Sequence, residues 1–170
     1  MKRLSGRTFR LVTLLAIGVA GAVPALARES LGLYATWGAF RDPLVPRCYA
    51  IAMAEPSQAA REYQPFAAIG SWPRRGARGQ LHVRLSRRIM QPSTVTLTVG
   101  GQRWPLIAGG GDAWPRNEGD NAAIVAAMRS APRMTVTATD LKGNRFVNAW
   151  PLAGAASAMD AALIGCAKAQ

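Results

Sequence analysis

"STVTLTVGGQRWPLI", Ser93 to Ile107, is the stretch whose reading decides the fold. Val95, Leu97 and Val99 recur at every second position, the period of a strand with one buried face. Gly100-Gly101 follows as the turn, and Trp104 and Leu106 continue the apolar face on a return strand. This is a β-hairpin, and the segments on either side repeat its logic.

Upstream, "GQLHVRLS", Gly79 to Ser86, alternates in the same way. Leu81, Val83 and Leu85 point to one side, and His82, Arg84 and Ser86 to the other. "PFAAIGSW" predicts a strand ended by Pro73, and "RCYAIAMA", Arg47 to Ala54, predicts another. "EPSQAAREYQ", Glu55 to Gln64, reads as a polar loop, and Leu31 to Pro46 as an irregular, turn-rich entry offering Tyr34, Trp37 and Phe40 for packing.

Downstream, "AGGGDAWPRNEGD", Ala108 to Asp120, reads as a long loop leading to a helix over "NAAIVAAMRS", capped by Asp120 or Asn121 and stopped by Pro132. Ile124, Ala127 and Met128 share its inner face. "RMTVTATD" and "NRFVNAWPL" predict a second hairpin around Leu141-Lys142-Gly143. "GAASAMDAALIGCAK" suits a closing helix with Ala155, Met159, Leu163 and Cys166 on one stripe. The expected fold is mainly β: an antiparallel β-sandwich or small barrel with one mid-chain and one C-terminal helix. No βαβ alternation is present, which argues against a doubly wound sheet.

The first residues set the expected compartment. Lys2, Arg3, Arg7 and Arg10 precede the apolar run "LVTLLAIGVAGAV", and Ala25-x-Ala27 has the small-x-small spacing of a signal-peptidase site. The run is shorter than the ~20 residues that a membrane span needs. Residues 1–27 are therefore expected to be a signal peptide and residues 28–170 a single β-rich domain, periplasmic or secreted. An uncleaved membrane anchor is the alternative. Removing four of the 21 basic residues and none of the nine acidic ones lowers the net charge from +12 to +8 over 143 residues. Export also takes nucleic acid out of the expected partners.

Two cysteines remain, Cys48 and Cys166, and an exported chain with an even count usually pairs them. Neither has the spacing of a redox centre or a zinc site. A bridge across 118 residues would tie the start of the domain to its end.

The order of pieces resembles the invasion-associated locus B family of exported bacterial envelope proteins. Trp37 and Cys48 stand near the expected mature start, hairpins follow, and a mid-chain helix ends in "AAMR". "PLAGAASAMDAA", Pro151 to Ala162, then matches the family's strand-to-helix closing segment through Leu152, Gly154 and Ala158, with Ala155 where the family has an aromatic residue. The resemblance covers most of residues 34–165. Many family members carry a further cysteine pair before the middle helix, where this chain has "GGGDAW", Gly109 to Trp114. The resemblance implies a β-sandwich, an envelope location and a role in host association or envelope integrity. It brings no catalytic residues.

"SWPRRGARGQLHVRLSRR", Ser71 to Arg88, carries six arginines and no acidic residue. Arg74, Arg75, Arg78, Arg84, Arg87 and Arg88 are the candidate binding residues, since a guanidinium meets phosphate and carboxylate with two parallel bonds. Expected partners are anionic envelope or host components: lipopolysaccharide, an acidic glycan or an acidic protein. The competing reading is a solvated strand face that guards an edge against aggregation.

Other chemistry finds less support. His82 is the only histidine, and no Gly-x-Ser-x-Gly elbow accompanies it, so a solvent-facing role is expected. "GGGDAW" lacks the Gly-Lys-Ser/Thr of a phosphate loop. Asp112, Glu118 and Asp120 miss calcium-loop spacing. Most of the five tryptophans are expected in the core, with a carbohydrate platform as the alternative. The expected function is non-enzymatic binding with no metal and no cofactor. A structural or chaperone-like accessory protein, or a hydrolase with an unrecognised site, is the alternative.

Overall fold

The computed structural model describes residues 28–167, so the expected signal peptide over residues 1–27 lies outside the described residues. The strands are β1 (Glu29–Tyr34), β2 (Trp37–Asp42), β3 (Arg47–Met53), β4 (Phe66–Trp72), β5 (Ala77–Arg84), β6 (Val95–Val99), β7 (Gln102–Gly109), β8 (Asp112–Pro115), β9 (Arg133–Thr139) and β10 (Arg145–Pro151). A 3-10 turn, Pro73–Arg75, separates β4 from β5. The helices are α1 (Glu118–Met128) and α2 (Ala155–Ala167).

The fold is mainly β, with the expected mid-chain and C-terminal helices. All ten strands join one antiparallel sheet in the order β1-β2-β3-β4-β5-β8-β7-β6-β9-β10. The hairpin around Gly100-Gly101 forms as read: Val95 faces Leu106 and Leu97 faces Trp104. Val95, Leu97, Val99 and Leu106 are buried with Leu81, Val83 and Leu85 of the β5 segment.

The sheet curls until its last strand meets its first ones. Trp37 Nε1 donates to the Pro151 carbonyl at 2.9 Å, and the Glu55 N–H donates to the Ala149 carbonyl at 2.8 Å. The Ser86 N–H donates to Asn148 Oδ1 at 2.9 Å. These bonds occupy polar groups that the closing of the core would otherwise strand without water.

Helix α2 packs on β1 to β4, and α1 on β5, β6 and β8. The floor beneath α2 is made of small residues, Ala39, Ala50, Ala52 and Ala67, all buried. The helix meets it with Ala155, Ala158 and Ala162, and a methyl group at Gly165 would lie 2.4 Å from Leu31 Cδ1. Leu163, expected inside, is exposed instead, because this close approach admits the small residues of α2 and turns the branched one to water. No helix among the described residues is long and apolar enough to cross a membrane.

Two expected loops are strands. Leu31 to Pro46 forms most of the β1–β2 hairpin, whose glycines serve packing: a methyl group at Gly38 would strike the Phe40 ring at 2.7 Å. Ala108 to Asp120 contains the β7–β8 hairpin, turned by Gly110 at φ 62°. The cap of α1 is Asn117, whose Oδ1 accepts the Asp120 N–H at 2.8 Å, not Asp120 or Asn121. Asn121 instead bonds to the sheet. Its Oδ1 accepts the Leu81 N–H and its Nδ2 donates to the Gly79 carbonyl, both at 2.9 Å. That amide continues the ladder of β5 where β8 does not reach, since β8 pairs only with Val83 and Arg84.

Candidate functional site

The structure divides the six arginines. Arg78 and Arg84 lie six residues apart along β5, about 20 Å at strand rise. Arg74, Arg75 and Arg78 are exposed at the β4–β5 turn, and no ion pair among the described residues includes them. Arg84, Arg87 and Arg88 lie at the other end, and each has an acidic partner.

Arg84 Nε lies 2.9 Å from Asp112 Oδ1, with its guanidinium over the Tyr63 ring at 5.0 Å. Arg87 donates from Nη1 to Asp140 Oδ2 at 2.9 Å and from Nε to the Ala60 carbonyl at 2.8 Å. Arg88 donates to the Tyr63 hydroxyl and lies 3.8 Å from Glu62. That hydroxyl, with the Tyr63 and Glu62 charges, raises the Arg88 pKa above its ordinary value. Arg87 thus has a structural role besides any binding one, since the carboxylate it holds is buried.

His82 is half-buried instead of solvent-facing. Its Nε2 lies 2.8 Å from Asp112 Oδ1, and its ring stacks on Trp114 at 5.4 Å while meeting the edge of Phe66 at 5.3 Å. No hydroxyl or thiol of the described residues hydrogen-bonds to it, and Asp112 is shared with Arg84. The arrangement orients an imidazole without offering a nucleophile. Asp112 is thereby drawn away from Glu118 and Asp120, and Asp120 pairs with Arg116 at 2.9 Å. The Gly109–Gly111 backbone turns inward: the Gly111 carbonyl accepts the Leu85 N–H and the Gly110 carbonyl the Ile89 N–H.

The outer face of β3, β4 and β5 carries a groove of about 340 Å³. Ala68 and Gly70 form its floor and Tyr49, Phe66 and Trp72 its aromatic sides. The Trp72 ring lies across Gly70, where a methyl group would come within 2.7 Å of it. Arg28, Arg47 and His82 add basic groups. Trp37 and Trp150 are core residues, whereas Trp72 and Trp104 are half-buried and Trp114 is exposed.

Cys48 and Cys166 form a disulfide, with Cα atoms 5.6 Å apart. Beside it opens a second cleft, of about 530 Å³, bounded by Arg41, Asp42, Arg47 and Arg74. Arg41 was missed from sequence because its segment read as an irregular entry, and Arg47 because it was read only as the first residue of a strand. Across the proline-bounded turn β2 and β3 pair Arg41 with Cys48 and Asp42 with Arg47, so Arg41 shares the disulfide's face of the sheet and Arg47 lies on the outer face over Tyr49. Compared with known proteins, the chain matches no family model, no curated sequence and no solved structure.

Proposed function

We propose that the chain is an exported, envelope-associated protein that acts by binding, and that it takes an acidic glycan, such as the saccharide of a lipopolysaccharide, on its outer β-face. The observation that carries this reading is the groove of Tyr49, Phe66 and Trp72 running beside an arginine turn. An aromatic face suits the apolar face of a sugar ring, and exposed guanidinium groups suit its carboxylate, sulfate or phosphate substituents. The Cys48–Cys166 disulfide supports an oxidising compartment. The resemblance to the invasion-associated locus B family supports a role in host association or envelope integrity.

Binding to heparin or lipopolysaccharide tests it. The wild-type protein is expected to bind, with affinity falling steeply as salt rises, because the Debye length shrinks from about 10 Å at 0.1 M to about 3 Å at 1 M. Replacing Arg74, Arg75 and Arg78 with serine should weaken binding at least tenfold with an unchanged melting temperature. Trp72→Ala should weaken glycan binding further at high salt, where stacking outlasts charge. Unchanged affinity in both variants would overturn the reading.

A further inference from the structure

The later strands of the sheet carry a polar face of their own. Val95, Leu97 and Val99 of β6 are buried, so Thr94, Thr96 and Thr98 point outward. The same alternation in β9 buries Met134, Val136 and Ala138 and turns Thr135, Thr137 and Thr139 out. The two strands pair Thr96 with Thr137 and Thr98 with Thr135. Threonine side chains therefore stand in facing rows, about 5 Å apart across the strands and about 7 Å apart along them.

Threonine alone is ordinary on an exposed strand face. This face is also concave: Thr94, Thr96, Thr98, Thr137 and Thr139 line a depression of about 330 Å³. Arg103 of β7, opposite Thr98, and Arg145 of β10, opposite Thr139, line it from the two flanking strands. Neither guanidinium has an acidic partner among the described residues, and no carboxylate lines the depression.

Arg145 also lines a smaller cleft, of about 140 Å³, together with the exposed Arg61. Two acidic groups lie near this end and oppose an anion: Glu55 lines the small cleft, and Asp140 follows Thr139. Both are already held, Glu55 by Arg133 and Asp140 by Arg87 at 2.9 Å. The charges of Arg103, Arg145 and Arg61 therefore stand unmatched along one track.

We propose that this threonine face binds a segment of acidic polysaccharide, with Arg103 and Arg145 taking anionic groups at two points along it. A threonine hydroxyl both donates and accepts, so rows of them suit the hydroxyls of a sugar chain between its charged groups. Guanidinium forks take its carboxylates or sulfates. The two arginines stand on strands about 14 Å apart, a separation that suits recurring charges on a chain better than a single anion. The inference goes beyond the reading of the groove over β4 and uses none of its residues. Strands β5, β8 and β7 lie between β4 and β6, so the two faces are separate.

The experiment is a magnetic resonance titration of the disulfide-bonded protein, labelled at threonine methyl and tryptophan indole groups, with a heparin hexasaccharide. Saturable shifts of the Thr96, Thr98 and Thr137 methyl signals are expected. Arg103→Gln with Arg145→Gln should weaken the binding that these signals read by about tenfold, and each single variant several-fold. Both residues are exposed, so the melting temperature should not change. The Trp72 indole signal should titrate in the double variant as in the wild type. Threonine signals that stay in place, or that titrate identically in the double variant, would overturn the proposal. So would equal shifts with a neutral dextran hexasaccharide, which removes the role of charge. Equally tight binding of an inorganic polyphosphate would also overturn it, because the hydroxyl rows would then select nothing. Shifts confined to Trp72 would sink the threonine face and leave the groove over β4 standing, and shifts confined to the threonines would do the reverse.

Discussion

Arg87 reaches across 53 residues of chain to Asp140 and binds its Oδ2 at 2.9 Å. The other oxygen of Asp140 accepts the N–H groups of Lys142 and Asn144, both at 2.9 Å. One carboxylate therefore shapes the β9–β10 turn and fastens it to the segment that follows β5. The Asn144 N–H is the largest influence lowering its pKa; burial opposes it, and Arg87 and the Lys142 N–H assist. A carboxylate with a lowered folded-state pKa stabilises the protein above the ordinary aspartate value of about 3.9 and loses that contribution as pH falls through the folded value. Asp140→Asn should therefore lower the melting temperature at neutral pH, and its gap from wild type should shrink below about pH 4. Thermal melts from acid to neutral pH check this, and a gap independent of pH would show that the charge is not what matters.

Asn121→Ala should loosen α1 from the sheet. It leaves the Leu81 N–H and the Gly79 carbonyl without their partner, at a cost of about 2–3 kcal/mol for the pair. Urea unfolding measures the loss. Asn121→Asp keeps the acceptor for Leu81 and removes the donor for Gly79, so it should fall between alanine and wild type.

Replacing Cys48 and Cys166 with serine releases a closed loop of 118 residues. The chain-entropy estimate for such a loop is about 4–5 kcal/mol, an upper figure. The expected outcome is local as well as global: amide exchange should quicken along α2, which this bond pins to β3, and change less in α1. Equal quickening in both helices would contradict a clamp confined to one side of the sheet.

Gly154→Ala should be among the most damaging single changes. Gly154 has φ 86°, and a methyl group there would lie 2.0 Å from the Tyr34 carbonyl oxygen. Neither backbone can yield without moving the β1–β2 turn or the start of α2. A loss of about 3 kcal/mol or more is expected in denaturant titration.

Legibility in the sequence followed side-chain period. Where one face is fully buried and the other wet, as in Val95-Leu97-Val99 and Leu81-Val83-Leu85, alternation alone identified the strand. It failed in β1 and β2, where Gly32 and Gly38 interrupt the pattern because aromatic rings lie over them. It failed again at Leu163, since a helix packed closely on alanines chooses its inner face by size. The cysteine pairing was legible because only one pairing exists. The arginines were visible as a run, but β5 carries them to opposite ends, and the acidic partners of three of them come from positions 62, 112 and 140. No spacing rule reaches that far along the chain.

The alanine floor of β2, β3 and β4 has a consequence for the order in which the molecule matures. Its cover, α2, is the last described element, and more than 80 residues separate it from the end of β4. During synthesis, Ala39, Ala50, Ala52 and Ala67 emerge early and wait, uncovered, while the rest of the chain follows. The N-terminal half cannot mature on its own schedule. That interval is when a holding chaperone would have the most to grip, and it closes when the C-terminal helix docks and Cys166 meets Cys48.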